Sequence, residues 1–384
     1  MAGNSFGGAL RQTTFGESHG IALGCVVDGC PAGVPLEPQR LAQALARRRP
    51  GQSTLTTARA EGDEPEILSG VYQGLTLGTP IAVLVRNHDA KSKDYSILQE
   101  NSRAGHADFT YRARYGHVDP RGGGRASARE TIGRVAAGAI AEAILEAWRL
   151  QQGRPAIEVV AWVQSIGDIQ ADTGSCWQIA TAGHAVNPAT LTRAEVDQSL
   201  VRCPDAQASQ AMIEAIDAAR LQRDSLGGIV RCIVRGLPAG WGDPVFDKLT
   251  GTLSHALMSL PAARGVQFGS GFSAATMRGS QHNDAFVQGD HGAAFATNHH
   301  GGLLGGISSG ADLCLELAFK PPATIAQPQQ GWANAGHPQT LQVGGRHDPC
   351  VLPRAVPLVE AAVAFCLADA MLRVATLTSG GSHA

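Results

Sequence analysis

The apolar positions along the chain fall into two kinds of pattern, one helical and one strand-like. After Ser127, the residues Ile132, Val135, Ala136, Ala139, Ile140, Ala143, Ile144, Ala147 and Trp148 recur three and four positions apart. That spacing gathers them on one face of a long helix. Ser127 and Glu130 stand at its head in the S-x-x-E form of a capping box, in which hydroxyl and carboxylate satisfy free amides of the first turn. The same reading predicts helices at about 38 to 49, 128 to 150, 192 to 202, 205 to 222, 243 to 260 and 355 to 376. Thr192 and Glu195 form a second capping box, and Asp243-Pro244 reads as a cap followed by proline at the first helical position.

Strands are predicted where short runs are β-branched or alternate: "IALGCVVDG" (21 to 29), "IAVLVR" (81 to 86), "AIEVVAWVQSIGDI" (156 to 169), "IVRCIVRG" (229 to 236) and "DLCLELAF" (312 to 319). The proline- and glycine-rich region 322 to 345 reads as a long loop. With no linker and no internal repeat, the expectation is one mixed α and β domain over residues 1 to 384.

Composition narrows the class. Hydrophobic residues make up 43% and charged residues 17% of the 384 residues, as in a globular protein, while 47 glycines exceed the usual share of roughly 7%. The fold must therefore be rich in turns and close backbone contacts. A net charge of −2 gives no global basic field for nucleic acid or an acidic membrane surface, so anion binding must come from local clusters. The eight cysteines include no C-x-x-C pair and read as small core residues in a reducing compartment. No secretory signal pattern and no uninterrupted apolar run of about 18 residues is present, so the expected location is the cytoplasm.

Five clusters carry polar residues that a core would not select. "TTFGESHG" (13 to 20) sets Glu17, Ser18 and His19 between glycines; a lone histidine there is more often a surface turn residue. "RRRPG" (47 to 51) places three arginines at a helix end, more than the helix dipole needs. "RAGHADFTYRARYGHVDPRGGGRASARET" (103 to 131) holds six arginines with His106 and His117, beside a glycine loop that feeds a helix start. Free N–H groups and the dipole at that start favour an anion, as does bidentate arginine geometry. In "TNHHGGLLGGISSG" (297 to 310) paired histidines lack a local acidic residue, so tight backbone packing is favoured and no metal is expected. In "GGRHDPC" (344 to 350), Asp348-Pro349 reads as a helix cap, with Arg346 and His347 adjacent. Neither a P-loop nor a dinucleotide-binding glycine pattern occurs.

Taken in order, "GESHG", "RRRPGQS", "GHADFTY", "RGGGRASARET", "DSLGGIV", "GDPVFDKL", "GGLLGGISSG" and "GRHDPC" resemble the motifs of the chorismate synthase family. The resemblance implies a lyase that eliminates phosphate from 5-enolpyruvylshikimate 3-phosphate to give chorismate in the shikimate pathway. It also implies reduced FMN (FMNH2) as cofactor, a homotetramer, and an α+β fold with a helical layer between two β-sheets. Matched by position, His19 and His106 resemble the family's general acids, Asp348 its aspartate, and Ser18 and Ser127 the hydroxyls beside them. Arg48, Arg49, Arg134 and Arg346 match anion-holding positions. Flavin contacts are implied for Arg125, Ala126 and Ser127, for Pro261 and Ala262, for Gly305, for Arg346, and for Lys320, Pro321, Pro322, Ala323 and Thr324.

Three positions depart from the family pattern: Thr54 stands where an arginine is expected, Ala104 where proline is usual, and "KPPAT" has fewer hydroxyls after Lys320. The first argues against pyridine-nucleotide binding near Arg48, so a monofunctional enzyme fed by an external flavin reductase or another NADPH-dependent source is expected. The rival readings are a flavin reductase, and an anion- or RNA-binding module built on the arginine loop. The near-neutral charge and 5% aromatic content weigh against the latter.

Overall fold

Two antiparallel sheets face each other across a layer of helices. The structure, a computed structural model, describes residues 3–51, 61–88, 98–119, 121, 123–175, 184–289, 292–343 and 348–377. In spatial order, the first sheet runs Ser5–Phe6, Arg11–Gly16, Ala22–Asp28, Ile81–Arg86 and Pro65–Ile67. The second runs Ile169–Gln170, Glu158–Ile166, Gly228–Arg235, Leu313–Phe319 and Ala263–Phe268. Alternation does what it should in the first sheet, where Leu23, Cys25 and Val27 and, on the next strand, Ile81, Val83 and Val85 all enter the core.

Between the sheets lie the helices Thr131–Gln151 and Leu352–Leu377, joined by Pro38–Arg48 and Leu249–Met258. The first of these packs on the first sheet and the second on the other. Glycine sets both spacings. A Cβ on Gly133 would lie 2.6 Å from the carbonyl oxygen of Gly24, and one on Gly138 would lie 2.4 Å from the Cβ of Ala361. The start of the central helix thus rests on a strand, and its middle touches the backbone of the C-terminal helix. The α+β sandwich expected from the resemblance is the architecture found.

The C-terminal helix is long and apolar enough over Leu352–Ala375 to cross a membrane, but its apolar window is 94% buried inside the protein. Pro357 lies within it, and proline has no N–H to give to the carbonyl four residues earlier. The guanidinium of Arg202 donates to that Pro353 carbonyl instead, and to the carbonyl of Arg47 at 2.7 Å and Asp197 at 2.8 Å. A buried backbone acceptor that the helix abandons is thereby satisfied.

Local expectations fared unevenly. Thr192 and Glu195 form the predicted capping box. Ser127 caps as expected, its Oγ accepting from the N–H of Arg129 at 3.3 Å, but it starts a single 3-10 turn and the α-helix begins at Thr131. Glu130 does not close the box; its carboxylate takes Thr14 and Arg134. Asp243-Pro244 does not start a helix: the helix begins at Leu249, and Asp243 pairs with Arg373 at 3.0 Å. Asp348 is not at the cap position of the last helix either: that helix begins four residues on, at Leu352, and the Asp348 carboxylate pairs with Arg354. The expected loop 322 to 345 contains the hairpin Gln329–Ala333 with His337–Leu341.

Replacing Arg202 by methionine should cost about 2 kcal/mol or more, since several hydrogen bonds to a charged group are lost. The urea midpoint measures this, and the cost should shrink in a Pro357→Ala background, where the helix regains its own donor. Equal costs in both backgrounds would break the link between Arg202 and the proline.

Candidate active site

Where the first sheet, the start of the central helix and the edge of the second sheet meet, a cavity of about 610 Å³ opens. Its floor is the turn at 127 to 130. The preceding loop needs glycine at two points, because Gly123 and Gly124 have φ of +150° and +51°. Gly124 accepts the N–H of Ser18 at 3.4 Å, which ties the "GESHG" turn to the arginine loop. Ser18 is buried, and its Oγ lies 3.1 Å from Nδ1 of the buried His19. His19 is therefore no surface turn residue; it lines the cavity.

Arginines converge here, and most are met by a fixed carboxylate or carbonyl. Arg125 donates to Oγ1 of Thr14 at 2.7 Å and to the carbonyl of Gly16 at 3.1 Å. Thr14 passes its own hydrogen to Glu130 at 2.8 Å, and Glu130 also holds Nε of Arg134 at 3.0 Å. The side chain of Arg48 is 2% exposed; it reaches Asp63 at 3.2 Å, Thr131 at 3.1 Å and the carbonyl of Ala128 at 2.7 Å. Burial, then repulsion from Arg354, lowers its pKa to about 9, so it remains charged at neutral pH at a cost that a bound anion would offset. Asp63 also holds Arg129 at 2.9 Å.

On the opposite wall, Nζ of Lys320 donates to the carbonyl of Gly105 at 2.8 Å, and the N–H of Lys320 to the carbonyl of Ala262 at 2.9 Å. These bonds draw the segments carrying His106, Ala262 and Lys320 together. Arg354 donates to Asp348 at 2.5 Å.

Of the residues singled out in the sequence, His19, Arg48, His106, Arg125, Ala126, Ser127, Arg134, Pro261, Ala262, Lys320, Pro322, Ala323, Thr324 and Asp348 line this one cavity. Ser18 stands behind His19. Arg49 is exposed at the end of its helix, and neither it nor Pro321 lines the cavity. Gly305 sits apart, in the tight turn between Leu303–Leu304 and Ile307–Ser308. Arg346 and Thr54 lie outside the described residues. The histidine pair turns out to have an acidic partner distant in sequence: Asp284 accepts the backbone N–H groups of His299 and His300 at 2.8 and 2.9 Å.

Sequence reasoning gave no individual site role to Thr14, Arg103, Tyr111, Glu130, Ser259, Arg264 or Arg354, all of which line the cavity. Arg103 carried a signal, since it opens the arginine-rich cluster. Arg354 carried none, because an arginine in the first turn of a helix is unremarkable by pattern.

A family model described as chorismate synthase matches residues 10–372. The chain belongs to the chorismate synthase family. It is 50% identical over 372 residues to a chorismate synthase of Synechocystis sp., covering 97% of this chain and 98% of that one. To a chorismate synthase of Chloroflexus aurantiacus it is 49% identical over 374 residues, covering 97% and 96%. A crystal structure of chorismate synthase superposes with a TM-score of 0.72 at 29% identity, covering 95% of this chain and 92% of the other. The protein is accordingly a lyase of the chorismate synthase type, acting on a small-molecule substrate.

A cavity so rich in arginine should take up inorganic phosphate. A ligand at a hundred times its Kd adds about 2.7 kcal/mol of stability, so phosphate should raise the Tm of the unliganded protein and raise that of Arg134→Gln less. Equal shifts in thermal scans of the two proteins would mean that the anion acts elsewhere.

Proposed function

We propose that this cavity is where chorismate synthase chemistry takes place, its residues being the ones that would hold reduced FMN and 5-enolpyruvylshikimate 3-phosphate. The observation that carries the reading is the convergence of His19, His106 and Asp348 with Arg48, Arg125 and Arg134 on one cavity, although they are spread along the chain from position 19 to position 348. The residues present also fit a flavin mononucleotide. Lys320 has its pKa lowered by burial and then by repulsion from Arg264, which is the environment a phosphate or anionic ring would relieve.

A substrate with two carboxylates and a phosphate needs several fixed cations, and pre-set guanidinium groups supply them without reorganisation. Reduced FMN, when bound, supplies electron density as the phosphate departs and recovers it as the C–H bond breaks, so the reaction has no net redox change. In this reading His106 holds a proton at the leaving phosphate. His19, whose Nδ1 lies 3.1 Å from Oγ of Ser18, would hold one for the reduced flavin. Asp348 assists departure of the substrate proton, with Arg354 keeping its carboxylate in place. Ser127 shapes the turn at the cavity floor. Arg49, Pro321, Gly305 and Arg346 stay in the proposal through the family resemblance alone.

Three further parts belong to the same proposal: a homotetramer, an external source of reduced flavin, and a cytoplasmic location. Self-association would give cover to Phe246, Phe272 and Phe286, which are 95%, 82% and 71% exposed.

His106→Ala should lower turnover by about 10²-fold or more while leaving flavin affinity nearly unchanged, as read from steady-state kinetics beside a flavin titration. Equal losses in both would remove His106 from the chemistry. Mixing the enzyme with FMN and NADPH without oxygen should leave the flavin absorbance in place; rapid bleaching would show that the chain reduces its own flavin.

A further inference from the structure

His106 does not stand alone on the cavity wall. Its Nδ1 lies 2.7 Å from Oδ1 of Asp108, two residues on, at the first position of the helix Asp108–Tyr115. Asp108 is in turn gripped by Arg103, whose Nε is 2.7 Å from Oδ2 and whose Nη2 is 2.8 Å from Oδ1. The backbone N–H of Arg103 adds a further bond to Oδ2 at 3.1 Å. The arginine is itself braced against Oγ1 of Thr324 at 3.2 Å. The side chains of Arg103, Asp108 and His106 are only 4%, 14% and 17% exposed.

This geometry decides which ring nitrogen carries hydrogen. A carboxylate oxygen at 2.7 Å from a bare imidazole nitrogen would set two lone pairs against each other. Nδ1 must therefore be the protonated nitrogen whether the ring is neutral or cationic. Arg103 Nη2 also lies 3.0 Å from Nδ1, but one of its two hydrogens goes to Asp108 Oδ1 at 2.8 Å, and the ionised carboxylate, at the shorter distance from Nδ1, is the contact that sets the tautomer. Burial opposes the charge on Asp108, yet the bonds from Arg103 and His106 outweigh it and hold the carboxyl well below the usual range. The acceptor is thus held in its ionised form. Nε2 is left beside Gly123, where an added Cβ would stand 3.4 Å from it, so the absence of a side chain keeps that nitrogen accessible.

We propose that Asp108, clamped by Arg103, is the positioning residue that fixes His106 as the Nδ1–H tautomer and reserves Nε2 for proton exchange with the departing phosphate. Arg103 acts one step further back. It keeps Asp108 ionised and aimed, and through Thr324 it ties this pair to the segment that follows Lys320. The proposal rests on the reading of His106 as the acid at the phosphate.

Two measurements test it. In histidine-15N-labelled wild-type protein without ligands, with the His106 signals assigned by their loss in His106→Gln, the neutral ring should be the Nδ1–H tautomer. A wild-type ring in the Nε2–H form overturns the proposal without recourse to any Asp108 variant. In Asp108→Asn, whose amide can donate to Nδ1, the Nε2–H form should appear, kcat should fall by about 10²-fold or more, and KM and flavin affinity should stay within about threefold. Asp108→Glu should recover part of the kcat. An unchanged kcat in Asp108→Asn, or a loss shared equally with flavin affinity, would contradict it. If His106→Ala leaves turnover intact, the reading of the active site fails instead, while the tautomer experiment still reports on Asp108 and His106.

Discussion

Keeping several guanidinium groups charged inside one cavity is the constraint on which the rest of this structure depends. Each buried cation costs several kcal/mol unless it is paired and fully hydrogen-bonded. The chain meets this with fixed carboxylates: Asp63, from a separate part of the chain, serves Arg48 and Arg129, while Glu130 serves Arg134, Asp108 serves Arg103 and Asp348 serves Arg354 from nearby positions. The pairing leaves Arg48 still stressed, because burial and then repulsion from Arg354 work against its charge. A cavity in that state gains from every anion it admits, which is the property a chorismate synthase needs for a substrate with three acidic groups.

The fold exists to hold those partners still. Gly133 lets the first turn of the central helix lie on the strand at Gly24, and Gly138 lets the same helix meet Ala361 at backbone distance. The cavity floor is thereby fixed to both sheets at once. The C-terminal helix, which presents Arg354 at its start, carries a proline whose lost hydrogen bond is replaced by Arg202. An unsatisfied carbonyl there would fray the turn that sets Arg354 against Asp348.

Much of this was legible in the sequence where the determinants are local. The helix Thr131–Gln151 and the strands Ala22–Asp28 and Ile81–Arg86 were visible because periodicity reports a face that is buried along its length. Asp243-Pro244 misled because an aspartate before proline has the form of a cap, and only the fold reveals that Arg373 takes its carboxylate. The helix Asp108–Tyr115 was missed for a related reason: its residues are mostly charged or aromatic and none is buried, so no apolar stripe marks it. Site residues with distinctive motifs were found, whereas their electrostatic partners were not. Arg129 and Asp63 are 66 positions apart, and nothing in either neighbourhood names the other. Asp284 and the histidines at 299 and 300 repeat the lesson.

The central claim is that these paired cations and the two histidines serve one elimination that needs reduced flavin. Its most direct test is phosphate release from 5-enolpyruvylshikimate 3-phosphate under anaerobic conditions, with and without dithionite-reduced FMN, while chorismate is followed in parallel. The account predicts release only with reduced flavin and one chorismate for each phosphate. Release without flavin, or phosphate appearing without chorismate, would contradict it.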